Sequence, residues 1–289
     1  MANKCLSLAI HGGAGAMLGQ AYAIELEHMR GLAEAGRDRL AGGASALDVV
    51  TEIVQALEAS GYYVAGRGAS ANSAGLYELD ASIMDGPARR SGAVAALVGF
   101  ASPIRAARAV MERTPHVLLA GDGASAFAKA EGLEAVGPEW FTPARVSEIK
   151  TKTPAGAGTV GCVALDETGA LAAATSTGGT QGKLYGRIGD SPIVGAGVWA
   201  DDQVAISCTG LGEYFVRSAA AAQIAHRMRF AGQGVAEAAD AALADLVGLG
   251  GWGGLIAVSA AGEIAMPFRS QGMKRAALHP DGRITAEVF

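Results

Sequence analysis

The residues that could carry chemistry concentrate between Thr159 and Gly212. Thr159, Thr175 and Thr177 come first and a Gly178–Gly179 pair follows. Then come Arg187–Ile188–Gly189–Asp190–Ser191–Pro192 and, last, Cys208–Thr209–Gly210–Leu211–Gly212. The five histidines, His11, His28, His116, His226 and His279, have no evident acidic partner, so a hydrolase built on this chain would need another base. A threonine supplies its own base when it is the first residue of a chain, because an α-amino group has a pKa of about 7.7–8.0. Thr159 is internal, so that chemistry requires the chain to be cut before it. Gly158 suits such a cut: attack on its carbonyl needs an uncommon backbone geometry, which glycine adopts at little steric cost. The alternative is that Thr159, being β-branched, simply opens a strand in GTVGCVALD.

The elements that must position these residues can be read from pattern. LSLAI predicts a strand running into His11–Gly12–Gly13–Ala14–Gly15, and helices follow over about Ala21 to Leu40 and Ser45 to Glu58, the second N-capped by Ser45. YELDASIMDG and SGAVAALVGF read as strands around a Gly86–Pro87 turn, and Ser102–Pro103 as the N-cap and first residue of a helix through IRAARAVMERT. HVLLAG reads as a strand, with a helix near Ala124 to Ala130. The polar stretch from about 137 to 158 is expected to be a mobile linker. TVGCVALD and ALAAATST read as a strand pair, VAISCTG as another strand, and Glu213 to Phe230 as one long helix with Phe215, Ala219, Ala222 and Ala225 on its apolar face. VAEAADAALADL predicts a further helix and LIAVSAAG with EIAMPF a last strand pair. Grouped strands flanked by helices predict an α+β fold of layered sheets.

Composition narrows the function. The chain has 289 residues, half of them hydrophobic, enough to bury roughly 75% of its unfolded surface. A net charge of −5 with scattered Lys and Arg argues against nucleic acid and against a polybasic membrane contact. No apolar run approaches the roughly 20 residues of a membrane span, and Cys5, Cys162 and Cys208 lack paired spacing, so a cytoplasmic location is expected. The 42 glycines punctuate short elements rather than forming a repeat. Gly13 to Gly19 is similar to a dinucleotide-binding loop, but two helices follow it where a parallel strand ending in an acidic residue would be needed.

The run from Gly158 through Glu213, GTVGCVALDETGALAAATSTGG to CTGLGE, resembles the core of the plant-type asparaginases, the isoaspartyl peptidase/L-asparaginase family of N-terminal nucleophile hydrolases. HGGAG at His11 and LDASIMDG at Leu79 are similar to other parts of that family, so the resemblance spans nearly the whole chain. It implies a single αββα domain over residues 1–289, autocleaved between Gly158 and Thr159, and a dimer of the resulting two-chain units. It also implies Thr159 as nucleophile, with Thr177 holding its hydroxyl. Arg187 would bind the substrate α-carboxylate and Asp190 its α-ammonium, Thr209 and Gly210 would form the oxyanion hole, and Gly212 would turn its carbonyl to the ammonium. Without the family, Arg187 and Asp190 could be a surface pair at helical spacing, although the glycines and proline around them argue against a helix. The implied substrates are isoaspartyl dipeptides and L-asparagine. No cofactor is needed for catalysis.

The departures fall in Leu57 to Ala69, LEASGYYVAGRGA, where relatives commonly read PLFNAG against GYYVAG here. Val64 thus replaces an asparagine close to the nucleophile, and Gly61 a proline. The same loop usually holds a structural sodium ion on backbone carbonyls. Leu211 stands where relatives have threonine or another residue. A glycosylasparaginase-like hydrolase and an inert binding or assembly protein on the same fold are the other readings.

Overall fold

The computed structural model describes residues 6–142 and 158–289. Ser7–His11 (β1), Leu79–Asp85 (β2), Arg90–Leu97 (β3) and Leu118–Ala120 (β4) precede Val160–Leu165 (β5) and Leu171–Thr177 (β6). Val198–Ala200 (β7), Val204–Gly210 (β8), Gly253–Ser259 (β9), Ile264–Ala265 (β10), Arg275–Leu278 (β11) and Ile284–Glu287 (β12) complete the strands. The helices are Ala23–Ala41 (α1), Ala46–Ser60 (α2), Pro103–Arg113 (α3), Gly121–Ala130 (α4), Gly212–Ser218 (α5), Ala220–Ala231 (α6) and Val235–Gly248 (α7). The fold is α+β, with one eight-stranded sheet ordered β12-β11-β1-β5-β6-β2-β3-β4 and one four-stranded sheet ordered β10-β9-β8-β7.

Side chains alternate between the faces of a strand, and this period of two sorts the core. Leu8, Ile10, Cys162, Ala164, Ala172 and Ala174 cluster with Val50, Val54 and Leu57 of α2 and with Ile104 and Val110 of α3. The residues between them, Ala9, Val163, Leu165, Leu171 and Ala173, cluster instead with Ala205, Ile256 and Val258 of the smaller sheet. The other face of β8 and β9, with Val204, Ile206, Cys208, Leu255 and Ala257, meets Ile224 of α6 and Leu243 and Leu246 of α7. β5 and β6, which follow residue 158, lie between β1 and β2, which precede it. The eight-stranded sheet is therefore shared by both parts of the chain, whereas the four-stranded sheet comes wholly from residues after 158. β1 pairs antiparallel with both neighbours, so the glycine loop after it does not open a βαβ unit.

Several expectations are corrected. The single helix from Glu213 to Phe230 is two, because Ala219 adopts a left-handed conformation at φ 48° and ψ 47°. The Ser218 hydroxyl donates to the Tyr214 carbonyl at 2.9 Å, a back-bond that loosens the preceding turn. The break shifts the buried face to Ala220, Ala221, Ile224 and Ala225, and leaves Ala219 exposed. EIAMPF contributes only a two-residue strand, since Pro267 has no amide to extend a ladder. β7, β11 and β12 carry no alternating pattern that reveals them. The stretch expected to be mobile from 137 begins with a short helical turn over Pro138–Trp140, and Phe141 stacks on Tyr77 with ring centroids 4.1 Å apart. Thr142 donates its amide to the Arg67 carbonyl at 2.9 Å. The rest of that expected linker, 143–157, lies outside the described residues, as does Cys5.

Ser45 caps α2 as expected, its hydroxyl accepting from the Asp48 amide. Ser102 does not cap α3. Glu58 reaches across from α2, accepting from the Ile104 amide at 3.0 Å and from the Ser102 hydroxyl at 2.6 Å. Burial pushes the Glu58 carboxyl up to about 7 against these bonds. Glu58→Ala removes the borrowed cap and orphans the buried Ile104 amide and the half-buried Ser102 hydroxyl, and should lower stability by about 2–4 kcal/mol. Urea unfolding checks this; Glu58→Gln, which keeps an acceptor, should lose less, and equal losses would show that the cap contributes nothing.

Candidate active site

The polar residues sit where the inter-sheet layer runs out of apolar side chains. Along β6 the same face carries Leu171, Ala173, Thr175 and Thr177; along β8 it carries Ala205, Ser207 and Thr209. β5 read backwards carries Leu165, Val163, Gly161 and then Thr159, just before its first residue. Three strands therefore bring Thr159, Thr177 and Thr209 together at one end of the layer, all buried. The Thr159 hydroxyl donates to Thr177 Oγ1 at 3.1 Å, and the same oxygen accepts the Gly179 amide at 3.1 Å. Thr209 Oγ1 accepts the Ala14 amide at 3.3 Å, which ties the HGGAG loop to the end of β8 and leaves the Thr209 proton free to donate.

Thr159, Thr177, Arg187, Asp190, Gly210 and Gly212 line one cleft of about 250 Å³, its open mouth included. Gly158 adjoins it, and Thr209 lies directly behind, fully buried. Gly179, Thr180, Gly189 and Ser191 also line the cleft; all four stand in the chemistry-bearing stretch of the sequence but carried no assigned role there. Gly212 must be glycine here: a Cβ would lie 2.8 Å from Asp190 Oδ1 and 3.2 Å from Arg187 Nη2. The Val64 side chain lies against Gly158, where an added Cβ would come within 2.4 Å of it, and the Val64 carbonyl accepts the Gly178 amide at 2.8 Å.

Arg187 is not half of a helical pair with Asp190. Its Nε and Nη2 are held by both oxygens of Glu213 at 2.9 Å, which leaves the Nη1–Nη2 edge as a two-pronged donor. Asp190 is 4% exposed, and its Oδ2 has no hydrogen-bond partner among the described residues. Burial pushes its carboxyl up to about 7; Arg187 draws it down, while Glu213 and Asp80 oppose that. An unpaired buried carboxylate oxygen is costly unless a ligand completes it.

Glu213 and Lys183 escaped the sequence reading. The buried Lys183 ammonium donates to the Glu78 carbonyl at 2.6 Å and to the Gly178 carbonyl at 3.2 Å, fixing the turn beyond Thr177. The Glu78 carboxylate accepts the Gly186 amide and the Asn72 side-chain amide, closing the loop that carries Arg187. A lysine and a glutamate 105 residues apart give no local signal. Among the described residues no group of three or more His, Cys, Asp or Glu could hold a metal, and no helix is long and apolar enough to cross a membrane.

The asparaginase family model matches residues 4–286. Similar proteins include an isoaspartyl peptidase of Salmonella typhimurium, 47% identical over 95% of each chain. The isoaspartyl peptidase of Escherichia coli is 45% identical over 93% of this chain and 91% of its own. An isoaspartyl peptidase/L-asparaginase of Xenopus laevis is 39% identical over 95% and 92%. The chain belongs to the asparaginase family.

The raised Asp190 carboxyl predicts a pH signature. Its folded value of about 7 exceeds an unfolded value of about 3.9, so the proton is held more tightly in the folded state. The stabilisation from that proton is complete below about pH 4 and is lost as pH rises to about 7. Asp190→Asn does not titrate, so its melting temperature relative to the parent chain should climb between pH 4.5 and 7 and level off above. A difference independent of pH in thermal melts would contradict this.

Proposed function

We infer that this chain is a hydrolase that cleaves isoaspartyl peptide bonds and the side-chain amide of L-asparagine, with Thr159 as nucleophile. The names and coverage of its relatives support the activity. The site assignment rests on one observation: the Thr159 hydroxyl, bonded to Thr177, shares a cleft with Arg187 and the unpaired oxygen of Asp190.

The reaction needs two stages. First, Thr159 Oγ1 attacks the Gly158 carbonyl, the C–N bond gives way to an ester, and water hydrolyses the ester. This frees the Thr159 amine, dividing 1–289 into 1–158 and 159–289 within one domain. In turnover that amine takes the hydroxyl proton as Oγ1 attacks the substrate β-carbonyl. Thr209 and the Gly210 amide would hold the oxyanion. The amide C–N bond breaks, the amine passes its proton to the leaving nitrogen, and water hydrolyses the acyl-enzyme to release aspartate. The free edge of Arg187 suits an α-carboxylate, Asp190 suits an α-ammonium, and the Gly212 carbonyl would add a second acceptor.

A four-layer αββα sandwich fits the two sheets and the helical clusters on their outer faces. Within Leu57 to Ala69, the carbonyls of Gly61 and Tyr63 lie 3.1 and 2.0 Å from where a Gly68 Cβ would sit, so only glycine lets this carbonyl-bearing turn close so tightly. Backbone carbonyls are the neutral oxygen donors a structural sodium ion takes, and one bound in this loop would brace the segment carrying Val64 and supply no chemistry. The exposed Leu184, Tyr185, Ile188 and Val216 give apolar surface for a dimer of two-chain units. Free, buried Cys162 and Cys208 are in keeping with a reducing cytoplasm.

Purified protein should separate on a denaturing gel into two fragments, the second beginning at Thr159, while Thr159→Ala stays one inactive chain. Mature enzyme should hydrolyse β-Asp-Leu and leave α-Asp-Leu intact, because only the β isomer keeps its α-carboxylate free. Arg187→Ala should lower kcat/KM on the order of 10⁴-fold. Chromatography of the products decides: equal hydrolysis of the two dipeptides, or unchanged rates in that variant, would sink the assignment.

A further inference from the structure

Directly beneath the three threonines lies a second buried polar group that the proposed reaction leaves without a role. His11 ends β1 and is fully buried. Its Nδ1 is 3.1 Å from the Thr159 carbonyl oxygen and its Nε2 is 2.8 Å from Ser207 Oγ. Ser207 Oγ is 2.7 Å from Thr175 Oγ1, which in turn lies 3.1 Å from the Gly197 carbonyl. A carbonyl can only accept, so the ring proton is on Nδ1 and Nε2 accepts from Ser207. Burial lowers the His11 pKa to about 3, which keeps the ring neutral and unsuited to act as a base at working pH.

The placement follows the strand period. Thr175 stands two residues before Thr177, and Ser207 two before Thr209, on the same strand faces. His11 is opposite Gly161 across β1 and β5, and Gly161 is opposite Thr175 across β5 and β6. A Cβ at Gly161 would lie 2.0 Å from Ser207 Oγ and 2.4 Å from His11 Nε2. The missing side chain makes the gap into which the ring and the hydroxyl fit, and so joins the two sheets through hydrogen bonds.

We propose that His11 is a positioning residue for the nucleophile, fixing the Thr159 main chain through its Nδ1–H bond while the Ser207–Thr175 hydroxyls and the gap at Gly161 hold the ring in place. The inference rests on Thr159 being the nucleophile. It assigns His11 no contact with substrate. Its loss should therefore appear in self-cleavage and kcat, whereas KM, set by Arg187 and Asp190, stays nearly unchanged.

Asparagine places its amide nitrogen near the position of Nδ1, and glutamine places its own near Nε2. His11→Asn should retain the bond to Thr159 and stay within about threefold of the parent kcat, whereas His11→Gln should lose about ten- to a hundredfold. Thr175→Val should lose kcat in the same direction and Thr175→Ser should restore it, a pair that reads the network even if His11→Gln folds poorly in thermal melts. Rates are taken on β-Asp-Leu per mole of free Thr159 amino terminus, with cleavage followed by intact mass. The proposal is overturned if His11→Gln matures and keeps the parent kcat, if Asn and Gln variants lose equally, if the loss falls in KM, or if Thr175→Val equals Thr175→Ser. A parent protein that forms no Thr159 terminus and turns nothing over would instead bring down the reading of Thr159; an active parent with an unimpaired His11→Gln would bring down only the positioning role.

Discussion

The main-chain pairing of β5 with β1 on one side and β6 on the other is the constraint on which the site depends. Thr159 immediately precedes β5, so the register of those two ladders sets where its hydroxyl and carbonyl point. A slip of one residue would turn Thr159, Gly161 and Val163 to the helix-facing side of the sheet. The hydroxyl would then lose Thr177, and the carbonyl would lose His11. Extensive apolar packing on both faces of the sheet opposes such a slip.

The same geometry explains a buried polar layer in a hydrophobic protein. Desolvating hydroxyls, an imidazole and a carboxylate is unfavourable unless each finds a partner. Most of them do: Thr177, Ser207, Thr175 and His11 are linked, and Lys183 satisfies two carbonyls of the adjoining loop. Asp190 Oδ2 and Ser191 Oγ, both on residues that line the cleft, have no hydrogen-bond partner among the described residues. The satisfied groups fix one another, and the buried Asp190 carboxylate oxygen is costly until a donor completes it.

Glycine is dictated here by close approach as much as by turns. Gly158 leaves room for Val64, Gly161 for His11 and Ser207, and Gly212 for the Asp190 and Arg187 side chains. Val64 fills with methyl groups a place where the resemblance anticipates an amide. The wall beside Gly158 is therefore apolar in this chain, while the backbone bond from Gly178 to the Val64 carbonyl persists because it does not depend on the side chain.

By itself the sequence indicated the α+β class and most elements with a clear period, and its resemblance singled out Thr159, Thr177, Arg187, Asp190, Thr209 and Gly210 as candidates, because these are local patterns or compact motifs. It gave no role to His11, which it met as part of a glycine loop and as a histidine without an acidic partner, nor to Thr175 and Ser207, although Thr175 stood among the threonines that could carry chemistry. Tertiary structure decided that these three form one chain of hydrogen bonds, that Glu58 caps α3 in place of Ser102, that Glu213 holds Arg187, and that Ala219 divides the long helix. The physical reason is common to all of them. Each depends on a side chain or backbone turn whose partner is supplied by packing rather than by neighbours in sequence: His11 meets Ser207 across 196 residues, and no local periodicity encodes a contact of that span.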